Sequence, residues 1–358
     1  MANRCQFWKE YDSVGGSISY CELAAFNRSV NPAFLSQIGC TPEKRKECLG
    51  TMELNIGTGA VPASPPVAYE PPPGIAKGTV GLAEKKATTV APALQLLALL
   101  AGAYIAMGAV LSTVVTNDLA AYIGDGLTRL VGGATFSLGL ILVIMGGAEL
   151  FTGNNLMVTG LLDKKVTFKQ VLNNWFWVYL FNFVGALVIV FIFYFSGVWK
   201  TNDLGVAMRA VNTASAKVSL SWGEALFRGI FCNWLVCLAV WLSMAAKDAF
   251  GKIMGTMIPI TAFVAIGLEH SIANMYFIPM GIMLKGHGLL QGLLAPGVAE
   301  GLNWGSFFWN NLIPVTIGNL IGGVLFVGVI YWHAYLRPPA TKLVEVTSQQ
   351  DMQSAVTR

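Results

Sequence analysis

Apolar side chains crowd into six stretches of this chain, near 91–115, 128–152, 171–198, 222–245, 253–280 and 309–335, with short polar segments between them. Each is long enough to cross a bilayer, which takes about 20 mainly apolar residues. The pattern ahead of them is different. Residues 1–60 mix polar and apolar positions without span-length runs, and carry six basic and six acidic side chains. Pro62, Pro65, Pro66, Pro71, Pro72 and Pro73 then mark a linker over 61–74. Ile75 to Ala87 reads as a short amphipathic helix lying on the membrane surface. The chain thus divides into a polar, cysteine-containing tail (1–60), a proline-rich linker (61–74), a transmembrane unit (75–337) and a C-terminal tail (338–358).

Composition agrees with the pattern. Of 358 residues, 54% are hydrophobic and 12% charged, where a soluble domain carries about 25% charged residues. The chain reads as an all-α, multi-pass membrane protein. Its net charge of +4 is small and no basic cluster points to nucleic acid. Cys5, Cys21, Cys40 and Cys48 precede the first span, without CxxC spacing, and Cys232 and Cys237 sit in the fourth. Lys77, Lys85 and Lys86, then Lys164, Lys165 and Lys169, then Lys247 and Lys252, then Arg337 and Lys342 fall on one side of the bilayer. The positive-inside bias therefore puts both termini inside, although the opposite loop with Lys200, Arg209 and Lys217 is also basic.

One run stands out against its apolar surroundings: Glu269-His270-Ser271-Ile272-Ala273-Asn274. A charge at the bilayer centre costs roughly 2.5–3.5 kcal/mol on insertion scales, so the default reading is a site on an ion or substrate path. The run has a counterpart. Glu149-Leu150-Phe151-Thr152-Gly153-Asn154 also reads Glu, three residues, a small residue, then Asn. Asn174, Asn182 and Gly185 in the third stretch share the spacing of Asn311, Asn319 and Gly322 in the sixth. Three spans per half is odd, so the halves sit in opposite orientations, as inverted repeats with the site at their interface. Both runs are flanked by glycine (Gly146 and Gly147, Gly267), predicting broken second and fifth helices. Such breaks are tolerated at membrane depth only where buried or lining a cavity. Their half-helix N-termini would turn positive dipole ends toward the midplane.

Among single residues, His270 is the first candidate for a pore role. Glu269 is expected to point away and bond backbone amides around the break, because helix neighbours do not share a face. Glu149 is expected to do the same in the other half. Phe136 and Leu140 share a face, and Phe263 lies two turns before His270; the three are either ordinary lipid or helix contacts or a hydrophobic constriction that gates by dewetting. Asn233 is a lone amide in the fourth span, either an interhelical bond or a pore group. Lys217 is either an anion collector at the outer mouth or a solvated loop charge. Gly318 and Gly322 suggest close helix packing. Asn31-Pro32-Ala33, a tripeptide that water channels place at half-helix tips, occurs once, in the polar tail, and is read as chance. There is no HExxH, GxSxG or phosphate loop, and Glu269, His270 and Ser271 project in different directions, so no enzyme, cofactor or metal site is expected.

Together, Phe136-Ser137-Leu138-Gly139-Leu140, the Gly147–Asn154 run, the Glu269–Asn274 run and Asn311–Asn319 resemble the formate/nitrite transporter family over roughly 75–337. The resemblance implies a homopentamer of aquaporin-like protomers in the lipid bilayer, each passing small monovalent anions of weak acids. It implies that Phe136, Leu140 and Phe263 form an outer slit and that Phe151 and Val236 narrow the inner side. It further implies that Thr152 faces His270, that Asn233 and Asn311 line the vestibules, and that Lys217 collects anions. Glu149, Glu269, Leu150, Asn154 and Asn274 would support the two breaks. The stretch Cys232-Asn233-Trp234-Leu235-Val236-Cys237 and the proline-rich linker are similar to algal chloroplast-envelope members, associated with nitrite or bicarbonate. The acidic residues of the tail oppose a plastid transit peptide. The expected substrate order is nitrite, formate, bicarbonate; a water or neutral-solute pore is the alternative.

Overall fold

The computed structural model describes residues 8–13, 16–21 and 69–337, apart from 291, 295, 296 and 299. It separates into two units, Met1–Val67 and Ala68–Arg358. In the first, β1 (Trp8–Ser13) and β2 (Gly16–Cys21) form an antiparallel hairpin with Trp8 opposite Cys21, which the sequence pattern did not suggest. Asn31-Pro32-Ala33, the prolines before 69, the cysteines other than Cys21, Cys232 and Cys237, and the 338–358 tail lie outside the described residues.

The second unit is helical. Its elements are α1 (Pro72–Thr88), α2 (Ala91–Val115), α3 (Ala120–Gly146), α4 (151–162), α5 (Phe168–Ser196), α6 (Gly205–Val218), α7 (Trp222–Ala245), α8 (Ala249–Ile266), α9 (Ser271–Lys285) and α10 (Trp304–Tyr335). Local chemistry sets the starts. Pro72 and Pro73 open α1, where a missing amide costs nothing. Thr167 with Gln170 and Ser221 with Glu224 close capping boxes on α5 and α7. Among the described residues, six helices are long and apolar enough to span a membrane. Long side chains such as Phe195 and Phe227 remain exposed on their flanks, as an apolar surrounding demands.

The order α1–α5 repeats as α6–α10. In each half a surface helix precedes a span, then a helix that stops at mid-depth and restarts, then a long closing span. The stretch read as 128–152 starts at Ala120 and ends at Gly146; the one read as 253–280 is two helices. Gly147 (φ 78°) and Gly267 (φ 87°) are left-handed caps that end α3 and α8. Leu150 and His270, three residues on, share an extended backbone before α4 and α9 begin. The sequence read the segment containing α6 as loop. Its helix buries Val206, Ala207, Ala210, Val211, Ala214 and Val218 along one face.

The long closing spans lie unusually near their partners. A Cβ on Gly185 would stand 1.9 Å from the Leu99 carbonyl oxygen, and one on Gly322 would stand 2.1 Å from that of Ile230. Only glycine permits α2–α5 and α7–α10 to approach so closely.

Candidate functional site

Each break is held by one carboxylate, one lysine and three asparagines. Glu149 accepts from Lys86 Nζ at 2.7 Å and from Asn154 Nδ2 at 2.8 Å. Glu269 accepts from Lys217 Nζ at 2.8 Å, Asn274 Nδ2 at 2.7 Å and Asn311 Nδ2 at 3.0 Å. Asn174 and Asn311 take equivalent places: their Oδ1 atoms accept from Asn154 and Asn274, and their Nδ2 atoms donate to the backbone carbonyls of Lys86 and Lys217. Asn182 and Asn319 close the pattern. Asn182 donates to the carbonyls of Ala98 and Glu149 and accepts from Phe151 N; Asn319 donates to those of Gly229 and Glu269 and accepts from Ser271 N.

Several expectations change here. The carboxylates bond ammonium and amide side chains rather than backbone amides. The amides of Phe151, Ser271 and Ala273 at the half-helix tips are taken up by asparagine and histidine acceptors, which removes much of the open dipole expected there. Lys217 is neither a free collector nor a solvated charge: its side chain is 15% exposed and ion-paired to Glu269. Lys86, read only as an inside charge, is its equal in the other half. Burial pushes the Lys86 ammonium below its ordinary value, and the Glu149 carboxylate opposes that shift. A usable signal existed, since Lys86 and Lys217 each precede the next span, at Ala91 and Trp222, by the same interval.

Two cavities approach one another from opposite ends of the unit. One, about 360 Å³, is lined by Phe136, Phe263, His270, Lys217 and Glu269 among others. The other, about 270 Å³, is lined by Leu140, Leu150, Glu149, Lys86 and neighbours. On the wall of the larger one Phe136 meets Phe263 edge to face at 5.7 Å between centroids, and Phe263 lies 5.9 Å from the imidazole of His270. Leu140, expected beside Phe136 in one slit, belongs to the opposite cavity, one helical turn farther along α3. Phe136, Leu140, Leu150, Phe263 and His270 are all buried.

Thr152 and His270 join the two halves, with Thr152 Oγ1 2.9 Å from His270 Nε2. His270 also caps α9, its Nδ1 accepting from Ala273 N at 3.1 Å. Because Nδ1 accepts, the proton of the neutral ring sits on Nε2 and points at Thr152. Asn233, which the family resemblance placed in a vestibule, is fully buried and lines neither cavity. Its Nδ2 binds the carbonyls of Thr152 and Asn319 and Asn155 Oδ1, pinning α4 to α10. Asn311 is likewise absent from both cavity walls. Phe151 turns away from the smaller cavity and packs its ring on Trp175 and Tyr179. Val236 is buried and lines neither cavity.

The sequence profile of the Formate/nitrite transporter family matches residues 73–333. The chain belongs to the formate/nitrite transporter family. It is 44% identical over 288 residues to the "Probable formate transporter" of Methanothermobacter thermautotrophicus, covering 75% of this chain and 98% of that protein. It is 41% identical over 245 residues to the "Formate channel FocA" of Escherichia coli, covering 67% of this chain and 86% of that protein. Among solved structures it is similar to a "Pentameric formate channel with formate bound", with TM-score 0.62, 37% identity, and coverage of 68% and 97%. An "FNT family ion channel" matches with TM-score 0.63 and 28% identity over 74% and 99% of the chains. Formate/nitrite transporter relatives are thus channels and transporters rather than enzymes, and their fold is the one described above.

Proposed function

We propose that this chain passes a small monovalent weak-acid anion across a membrane, with formate first and nitrite and bicarbonate after it, as a homopentamer with one pore per protomer. The observation that carries the reading is the buried Thr152–His270 pair, its imidazole on the wall of the larger cavity beside the Phe136–Phe263 rings. Formate moves ahead of nitrite because the relatives named above are formate channels and transporters. Positive-inside loops support both termini inside, and the linker likeness supports a plastid envelope.

The constriction sets the chemistry. A bare anion between Phe136, Phe263, Leu140 and Leu150 forfeits its hydration, an effective cost of several kcal/mol. Crossing as the neutral acid avoids that cost. The proton then comes from the cavity solution, not from His270: neutral His270 would become an imidazolate by giving up Nε2–H, and charging it at Nδ1 would discard the Ala273 cap. His270 instead donates its Nε2–H to the passing carboxyl, while the Thr152 hydroxyl rotates to complete the pair. Lys217 and Lys86, each neutralised by its carboxylate, place an ion pair rather than a free charge at either approach.

Uptake of formate, nitrite and bicarbonate into proteoliposomes at pH 5.5 and pH 7.5 tests this. Formate uptake is expected to exceed the others and to rise at the lower pH. His270→Asn, which keeps a capping acceptor, is expected to lower uptake about tenfold or more at both values, tenfold being about 1.4 kcal/mol. Loss of the pH dependence itself in that variant would return the proton to His270. High osmotic water permeability without anion uptake would point to a neutral-solute pore.

A further inference from the structure

The larger cavity holds cations that the central site does not use. Arg129 of α3, Arg209 of α6 and Arg228 of α7 line it together with Lys217, against the single lining carboxylate of Glu269, which Lys217 already occupies. The three guanidiniums converge. Arg228 Nη1 donates to the Gly267 carbonyl at 3.4 Å, and Arg129 Nη1 lies 3.7 Å from where a Cβ on Gly267 would stand. Arg209 feels the field of Arg129 as well as that of Asp125. Among the described residues no carboxylate lies within ion-pair distance of any of the three.

Converging like charges around a cavity repel one another unless a counter-ion joins them. Guanidinium forks favour oxyanions, because two parallel N–H donors match two oxygens. Three arginines with Asp125 and Glu224 nearby leave a local charge of 3 − 2 = +1. Thr128, Asn212 and Thr213 add hydroxyl and amide groups to the same wall. The smaller cavity offers only lysines, Lys85, Lys86 and Lys252, which lack the fork.

We propose that Arg129, Arg209 and Arg228 bind a divalent oxyanion of the sulfate or hydrogenphosphate class, which occupies the mouth of the larger cavity without passing through. Desolvation grows with the square of the charge, so such an ion meets about four times the barrier of a monovalent one at the Phe136–Phe263 constriction. It has no route to neutrality at physiological pH. It therefore stays where the arginines hold it and obstructs the approach to His270 from that face. The obstruction rests on the transport reading above; the binding does not.

Two measurements on the purified full-length protein test this. Calorimetric titration with sodium sulfate at constant ionic strength is expected to show saturable binding. Arg129→Gln with Arg209→Gln is expected to weaken it about tenfold or more, and Arg→Lys at the same positions to restore part of it. Retention of the oligomer on size exclusion shows that the variants fold. In proteoliposomes, sulfate is expected to slow formate uptake where sodium chloride of equal ionic strength does not, and the glutamine variants are expected to lose that block. Sulfate binding untouched by the glutamine variants overturns the proposal, as does chloride blocking equally well or sulfate itself being carried. If no anion crosses at all, the transport reading fails while the titration still decides the site.

Discussion

The break at 147–150 and the break at 267–270 are built alike around their carboxylates, yet the residue just before the helix restarts is Leu150 in one and His270 in the other. Lysine, glutamate and three asparagines repeat almost atom for atom, down to which amide nitrogen meets which carbonyl. Such a frame solves one physical problem twice, which is how to end a helix in an apolar medium without leaving polar groups unpaired. The repeated part is scaffold. Chemistry is confined to the position where the repeat fails, an apolar Leu150 in one break and the imidazole of His270 in the other.

The comparison breaks most visibly at the carboxylates. Glu269→Gln and Glu149→Gln each strand a buried lysine, and each is expected to cost about 3–5 kcal/mol. Thermal unfolding of the detergent-solubilised oligomer reads this, and adding Lys217→Met or Lys86→Met is expected to recover much of it. A marked cost at only one of the two would mean that the halves do not share a scaffold. Next come Asn319→Ala and Asn182→Ala, which leave the carbonyl of Glu269 or Glu149 and the amide of Ser271 or Phe151 without a partner. The expected loss is about 1–3 kcal/mol in each variant, equal in the two halves. The smallest effects belong to Gly322→Ala and Gly185→Ala. Each must push a helix off its neighbour's carbonyl, at about 1–3 kcal/mol. Equal shifts in the unfolding midpoint would extend the likeness to the closing spans, and a shift confined to one would limit it to the breaks.

Much of this plan could be read before any coordinates. The Glu…Asn spacing at 149–154 and 269–274, and the Asn-Asn-Gly spacing in the closing spans, are local patterns within single helices, where 3.6-residue periodicity makes spacing equivalent to geometry. What escaped the sequence is what crosses between elements. Lys86 lies 63 residues from Glu149, whereas Lys217 lies 52 from Glu269, so connecting segments of unequal length hid the second half of each ion pair. Helix α6 reads as loop because its 14 residues are too few to span a bilayer and its apolar positions are interleaved with polar ones such as Asn212, Thr213 and Lys217. Asn233 illustrates the ambiguity of a lone amide: chain position alone does not distinguish a cavity wall from a brace, and three partners make it a brace.

The first network draws every member from residues 86–182, and the second from 217–319. A chain threaded into the bilayer from its N-terminus therefore neutralises its first buried carboxylate before the second has been synthesised, since N-terminal units generally fold first. The Asn233 brace and the Thr152–His270 contact are the bonds that wait, because each needs a residue from both halves. Assembly thus leaves the working centre until last, and a nascent chain stalled midway already carries a self-sufficient first half.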